Sequence, residues 1–237
     1  MTVAAADLRR GAVVGTAEVV AERVAGRDVV RCTGSGPLTP RRLPDRVLLL
    51  GATAGPLGGD VHRISVRVGP RAQLRLGSVA AAIVLPGTGS PAVVEVDIEV
   101  SAGAELVWEP EPTVVVEGAE LRSTTNIRMA GDARLFRRDE LVLGRHGEGP
   151  GSVRARLDIV RDGRAVIRQE VALGPGVPAV TDHDQITEII RIGHDAVPAE
   201  VVPVGGGWQG RWSPTHGVVR EISSRRRSSP QVPNVVR

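Results

Sequence analysis

The chain has 237 residues and a formal net charge of +3, its 30 basic and 27 acidic residues interleaved along most of its length. Every basic residue is arginine, which does not titrate, so the high isoelectric point carries no nucleic-acid signal. The length allows one large β domain or two small ones, enough to bury roughly 70% of the unfolded surface.

Aromatic residues are almost absent, Trp108, Trp208, Trp212 and Phe136 being all there are. The core must therefore be built from Val, Leu, Ile and Ala, a palette that favours strands. The 29 Gly and 17 Pro far exceed the usual share of about 12% and lie between apolar runs, which predicts many short strands and turns. The lone Cys32 cannot form an internal disulfide, fits a reducing compartment and reads as a small buried apolar residue. The N-terminal stretch has Asp7 and two arginines, and no run approaches 18 apolar residues. Neither a signal peptide nor a membrane span is expected.

In chain order, Thr16 to Val24 and Asp28 to Thr33 predict a hairpin closed around Ala25-Gly26-Arg27. The Gly34 to Arg42 stretch, with Pro37 and Pro40, is expected to be a loop, because proline offers no amide donor to a ladder. Val47 to Leu50 is expected as a strand buried on both faces. From Asp60 the period is two, with His62, Ile64, Val66 and Val68 on one face and Arg63 and Arg67 on the other. Val94, Val96, Ile98 and Val100 alternate likewise with Glu95, Asp97 and Glu99. If these strands are neighbours, arginines meet acids across the ladder, each pair worth roughly 0.2–1 kcal/mol.

Val153 to Ile159 and Ala165 to Leu173 alternate on either side of Arg161-Asp162-Gly163-Arg164, the strongest short hairpin signal in the chain. Asp182 to Ile192 is the best helix candidate: Asp182 offers a cap, and Ile186, Ile189 and Ile190 share a helical face, although a strand also fits. Beyond it, Gly205-Gly206-Gly207 shows little periodicity. Residues 1–222 are read as a single β domain and 223–237, with Arg225-Arg226-Arg227, as a disordered basic tail lacking aromatics for base stacking.

One seven-residue pattern recurs: Val68 to Leu74, Val100 to Leu106 and Met129 to Leu135, at spacings of 32 and 29 residues. Each reads apolar, two small or turn residues, a variable one, Ala, a variable one, Leu. We take them as equivalent reversals in a β meander whose stacked units bury one continuous core.

Chemical motifs are scarce. G-x-S-x-G, a Walker loop, H-E-x-x-H, paired C-x-x-C and a G-x-G-x-x-G opening a helix are all missing, which disfavours the usual enzymes. Gly58-Gly59 leads into a strand and lacks the helix N-terminus that binds phosphate. Among the scattered histidines, only Asp182-His183-Asp184 forms a local donor cluster, and three adjacent side chains converge poorly on one ion. Asp60 and His62 share a strand face as a polar pair, functional or simply a strand-start hydrogen bond. Asp139 and Glu140 point to opposite faces of a strand, so one needs a partner such as Arg137, Arg138 or Arg145.

Five segments in register resemble the UreD (UreH) urease accessory family over residues 35–173. They are Gly58-Gly59-Asp60 with the strand to Gly69-Pro70-x-Ala-x-Leu74, Leu106-Val107-Trp108 with Pro110-Glu111-Pro112-Thr113, Gly118-Ala119-x-Leu121, Gly131-x-Ala133, and Glu140 to Gly144-Arg145. Departures are the apolar Ser78 to Leu85 stretch, Glu109 and Arg138. The resemblance implies an all-β, mainly antiparallel scaffold of many short strands with one or two short helices, cytoplasmic and not an enzyme. It implies partners, namely apo-urease, a UreF-type helical accessory protein and a UreG-type nickel-binding GTPase, and no stably bound cofactor. Nickel would pass transiently through the interior, Asp60 and Glu140 being the implied passage residues and Arg145 positioning its strand end. Two competing readings are a β-rich interaction scaffold unrelated to nickel and a hydrolase with a dispersed site.

Overall fold

The computed structural model describes residues 11–53, 55–177, 183–193, 210–211 and 218–226. In chain order its strands are β1 (Val14–Val24), β2 (Arg27–Ser35), β3 (Leu38–Arg42), β4 (Val47–Gly51), β5 (Val61–Val68), β6 (Gln73–Ser78), β7 (Ala82–Val84), β8 (Ala92–Val100) and β9 (Glu105–Glu109). They continue as β10 (Thr113–Val115), β11 (Glu120–Met129), β12 (Arg134–Leu143), β13 (Ser152–Arg161), β14 (Arg164–Leu173), β15 (His183–Ile192), β16 (Gly210–Arg211) and β17 (Val218–Arg226). One sheet runs β14-β13-β11-β8-β5-β1-β2 and the other β16-β17-β15-β12-β9-β6-β4-β3, with β7 and β10 beside β12.

The recurring pattern explains this architecture. Each copy lets the chain leave a strand of the first sheet (β5, β8, β11) and enter the second (β6, β9, β12). It is a corner between sheets, so successive strands return in the same direction and stack as coils. The corners also stack on one another: the Gly69 amide donates to the Ala21 carbonyl at 2.8 Å, Ser101 to Val68 at 2.9 Å, and Ala130 to Val100 at 3.0 Å. Ala72, Ala104 and Ala133, the alanines of the pattern, are fully buried.

The expected meander is thereby corrected. Nine of the fifteen strand pairings among the described residues are parallel, so the fold is a mixed, β-solenoid-like arrangement and not mainly antiparallel. Reversals within a sheet and corners between sheets use the same turn residues, and only the long-range pairing separates them.

The helices are corrected as well, since the described residues contain none. Residues 183–192 pair as β15 antiparallel to β12, leaving Asp182 outside the described residues. Ile190 and Ile192 are fully buried, while Glu188 takes a place in the same alternating row and forms an ion pair there. That inward charge hides the period of two. Pro40 in turn sits inside β3, opposite Leu49 of β4, where a loop was expected. It is tolerated because β3 ends its sheet, so a missing donor costs no second ladder. In β4 only Val47 is fully buried, the three leucines being partly buried.

Both expected hairpins form, the first through a two-residue turn at Ala25-Gly26, since Arg27 already pairs with Val24. The β13–β14 turn places Asp162 and Gly163 at φ of 48° and 75°, the two consecutive left-handed residues of a type I′ turn. Strand structure reaches Arg226, four residues into the expected tail, and 227–237 lie outside the described residues. Gly205-Gly206-Gly207, Trp208 and Trp212 lie outside them too.

Between the sheets, Val66, Ile98, Ile127 and Ile159 form one fully buried rung, and Leu74, Leu106 and Leu135 form another opposite it. A second buried cluster around Ala92, Val115, Leu121, Leu143 and Val153 fills the other end of the coils. Cys32 is a free, partly buried thiol packed against the first cluster.

The outer face of the first sheet carries a charge ladder. Arg63 meets Glu95 at 2.8 Å, and Arg67 lies between Glu18 at 3.1 Å and Glu99 at 3.8 Å. These side chains are about half-exposed, so they set register more than stability. Arg67→Ala is expected to cost less than about 1 kcal/mol in urea unfolding, an effect that shrinks further in high salt.

Candidate functional site

The Asp60 corner is built from two loops in backbone contact. The Gly58 amide donates to the Leu85 carbonyl at 3.0 Å and the Gly59 amide to Pro91 at 3.1 Å. A Cβ on Gly58 would lie 2.6 Å from the Ser90 carbonyl oxygen, so only glycine lets the loops approach this closely. Gly59 takes a φ of 95°, which turns the chain into β5.

This closeness delivers Asp60 to the interior, where it is only 5% exposed. Its carboxylate accepts the Val13 amide at 2.8 Å on Oδ1 and the Leu57 amide at 3.1 Å on Oδ2. One residue ahead of the Val61–Val93 pair, Asp60 is level with Ala92, Leu121 and Val153, all buried in the second cluster. The first coil thus carries a carboxylate where the next three carry hydrocarbon.

Two residues on, His62 is 8% exposed, and its row continues through Val94, Ser123 and Ala155. The His62 Nε2 atom is buried and has no hydrogen-bond partner. Burial disfavours the charged imidazolium and lowers the pKa below the ordinary histidine value, with the Asp60 charge opposing the shift.

The other implied passage residue lies elsewhere. Glu140 shares the face of β12 that carries exposed Arg138, opposite the buried Leu135, Arg137 and Leu143. It accepts Arg138 Nη2 at 3.0 Å and Gln185 Nε2 at 2.6 Å. The two acidic positions are therefore not brought together.

A buried polar group that the motifs did not single out occupies the inward face of β12. Arg137, 8% exposed, pairs with Asp139 and with Glu188 of β15 at 3.1 Å. Gln169 of β14 donates to Glu188 at 2.9 Å, tying the two sheets together. A signal was available: Arg137 and Asp139 have the parity of Leu135, Leu141 and Leu143 in an alternating strand.

The remaining motif residues shape the body. The Pro110-Glu111-Pro112-Thr113 segment is held by Ser78 Oγ, which accepts the Glu111 amide at 2.9 Å, and by Pro112, whose carbonyl accepts the Ala82 amide at 3.0 Å. Thr113 then pairs in parallel with Ala82 and Leu141. The Gly144 amide donates to Val115 at 2.7 Å, and Arg145 closes the next turn by donating to Glu148 at 2.9 Å through Nε. Among the described residues no three of His, Cys, Asp and Glu converge on one point, and the Asp182-His183-Asp184 side chains lie outside those described.

Fold and corner together define a coil-stacked, two-sheet β body with a carboxylate and an imidazole built into one inner corner. The sequence model of the UreD urease accessory protein family matches residues 13–227. The chain belongs to that family. Among its relatives, urease accessory protein UreD of Streptomyces coelicolor is 43% identical over 155 residues, covering 63% of this chain and 61% of that protein. The Streptomyces avermitilis protein of the same name is 45% identical, covering 63% and 62%. Urease accessory protein UreD 3 of Streptomyces griseus is 39% identical over 173 residues, covering 69% and 66%. The matched region spans about three-fifths of the first two relatives' length.

Proposed function

We propose that the chain is a non-enzymatic scaffold of urease maturation that binds apo-urease and passes nickel to it. The observation that carries this reading is the family match across residues 13–227, together with relatives named urease accessory proteins. The remaining partners are a UreF-type helical accessory protein and, through it, a UreG-type nickel-binding GTPase. Nickel is cargo, held transiently and never as a resident cofactor. A site that releases its ion must hold it with few protein donors, and a corner that carries one carboxylate and one imidazole among apolar neighbours meets that requirement. Asp60 is buried at the inner corner, and Glu140, on the face of β12 opposite Leu135 and Leu143, has a side chain only 13% exposed. No helix among the described residues is long and apolar enough to cross a membrane. The free Cys32 thiol supports a reducing, cytoplasmic setting.

The test is urease activation in a host that produces apo-urease and the other accessory proteins but lacks its own member of this family. Supplying the chain is expected to restore activity, and Asp60→Asn to lower it severalfold while the complex with apo-urease persists. Glu140→Ala probes the second carboxylate, and unchanged activation removes it from the route. Failure of the unsubstituted chain to restore any activity contradicts the reading.

A further inference from the structure

Packing does not account for the pair of residues at the first inner corner. Going from coil to coil, the position of Asp60 becomes Ala92, Leu121 and Val153, and that of His62 becomes Val94, Ser123 and Ala155. The same geometry is therefore filled three times without a titratable group. Asp60 has a structural use in the Val13 and Leu57 amides, but each carboxylate oxygen keeps a further lone pair. His62 has no such use: it is more than nine-tenths buried, and Nε2 has no protein hydrogen-bond partner. A buried, unpaired imidazole nitrogen costs stability, so its place here calls for a ligand.

We propose that His62 Nε2 is a nitrogen donor for a divalent transition-metal ion, with Asp60 as the neighbouring oxygen donor, forming one weak stopping point inside the first coil. This rests on the reading of nickel as cargo and adds to it the residue that selects the ion. Imidazole favours Ni²⁺, Zn²⁺ and Cu²⁺ over Mg²⁺ and Ca²⁺, which prefer all-oxygen sites. Asp60 directly precedes β5 and His62 is its second residue, and both side chains are buried at the same corner. Two protein donors, with water completing the shell, let the ion leave again.

The experiment is equilibrium dialysis of the chelator-treated chain against Ni²⁺ alone, in parallel with Mg²⁺. The key variant is His62→Val, which installs the residue that the next coil uses at the same level and so preserves the packing. Circular dichroism confirms that both proteins are folded. The expected result is saturable Ni²⁺ binding that weakens at least tenfold in His62→Val and to a lesser degree in Asp60→Asn, with no Mg²⁺ binding at the same concentrations. Equal Ni²⁺ affinity in folded wild type and His62→Val, or no Ni²⁺ binding by either, overturns the inference. Co-elution with apo-urease separates it from the function it rests on. If His62-dependent Ni²⁺ binding is found but the chain neither co-elutes with apo-urease nor activates it, the maturation reading fails and the metal site stands. If the complex forms and Ni²⁺ binding ignores His62, the reverse holds.

Discussion

Replacing Leu106 by alanine is expected to lower the unfolding free energy by about 2–5 kcal/mol, toward the upper end of that range. Leu106 is fully buried and stands at the centre of the inner rung of the second sheet, between Leu74 and Leu135. Its corner is fixed on both sides. The Glu105 amide donates to Ala72 at 3.0 Å, and the Arg134 amide to Ala104 at 2.8 Å, so the neighbouring coils cannot slide inward to fill the space. The cost then includes both the lost hydrocarbon transfer and an uncollapsed cavity. Urea unfolding followed by far-ultraviolet circular dichroism measures it. A loss below about 1 kcal/mol would mean that the stacked coils do not share one rigid core.

The second large effect comes from the buried ion group. Arg137→Met is expected to cost about 3 kcal/mol, because it leaves Glu188, whose side chain is 13% exposed, as a charge without its arginine. Asp139 loses the same partner but is 32% exposed and regains water. The double variant Arg137→Met/Glu188→Leu should recover most of the loss, since a hydrophobic pair of similar volume avoids desolvating both charges. Additive losses in the two single variants would instead show that the residues do not act as a pair. The group also ties the second sheet to the first through Gln169, so Arg137→Met should loosen β14 first. Hydrogen exchange along Arg164–Leu173 reads that loosening.

Much of the fold was legible where the signal is local. The period of two in β5 and β8 assigned Val66, Val68, Ile98 and Val100 to the core, and the arginine and acid faces do meet across the β5–β8 ladder. Asp162-Gly163 marked its hairpin. The pattern ending in Leu74, Leu106 and Leu135 marked the repeating unit, but its direction was not legible. A reversal and a corner spend the same small residues, and only pairing between strands about 30 residues apart decides between them. The β15 strand was obscured because Glu188 interrupts its inward row with a charge that becomes acceptable only beside Arg137. Proline in β3 was misleading for a similar reason: sequence does not say which strand ends a sheet.

At the candidate site, Gly58-Gly59-Asp60 stood out in the sequence, and the structure gives the glycines a reason in the contact with the Leu85 to Pro91 loop. Glu140 stood out equally, and the parity of its strand puts it on the face of β12 that carries Arg138, where Arg138 and Gln185 hold its carboxylate. In the sequence His62 stands out only as a neighbour of Asp60. Its lack of a partner is a property of the folded interior that no local spacing encodes.

The most direct test of the central claim is size-exclusion chromatography of the purified chain with apo-urease. Co-elution as one complex at micromolar concentrations, retained in His62→Val and Asp60→Asn, is the predicted result. Separate elution of chain and apo-urease, with and without the UreF-type partner, would contradict it.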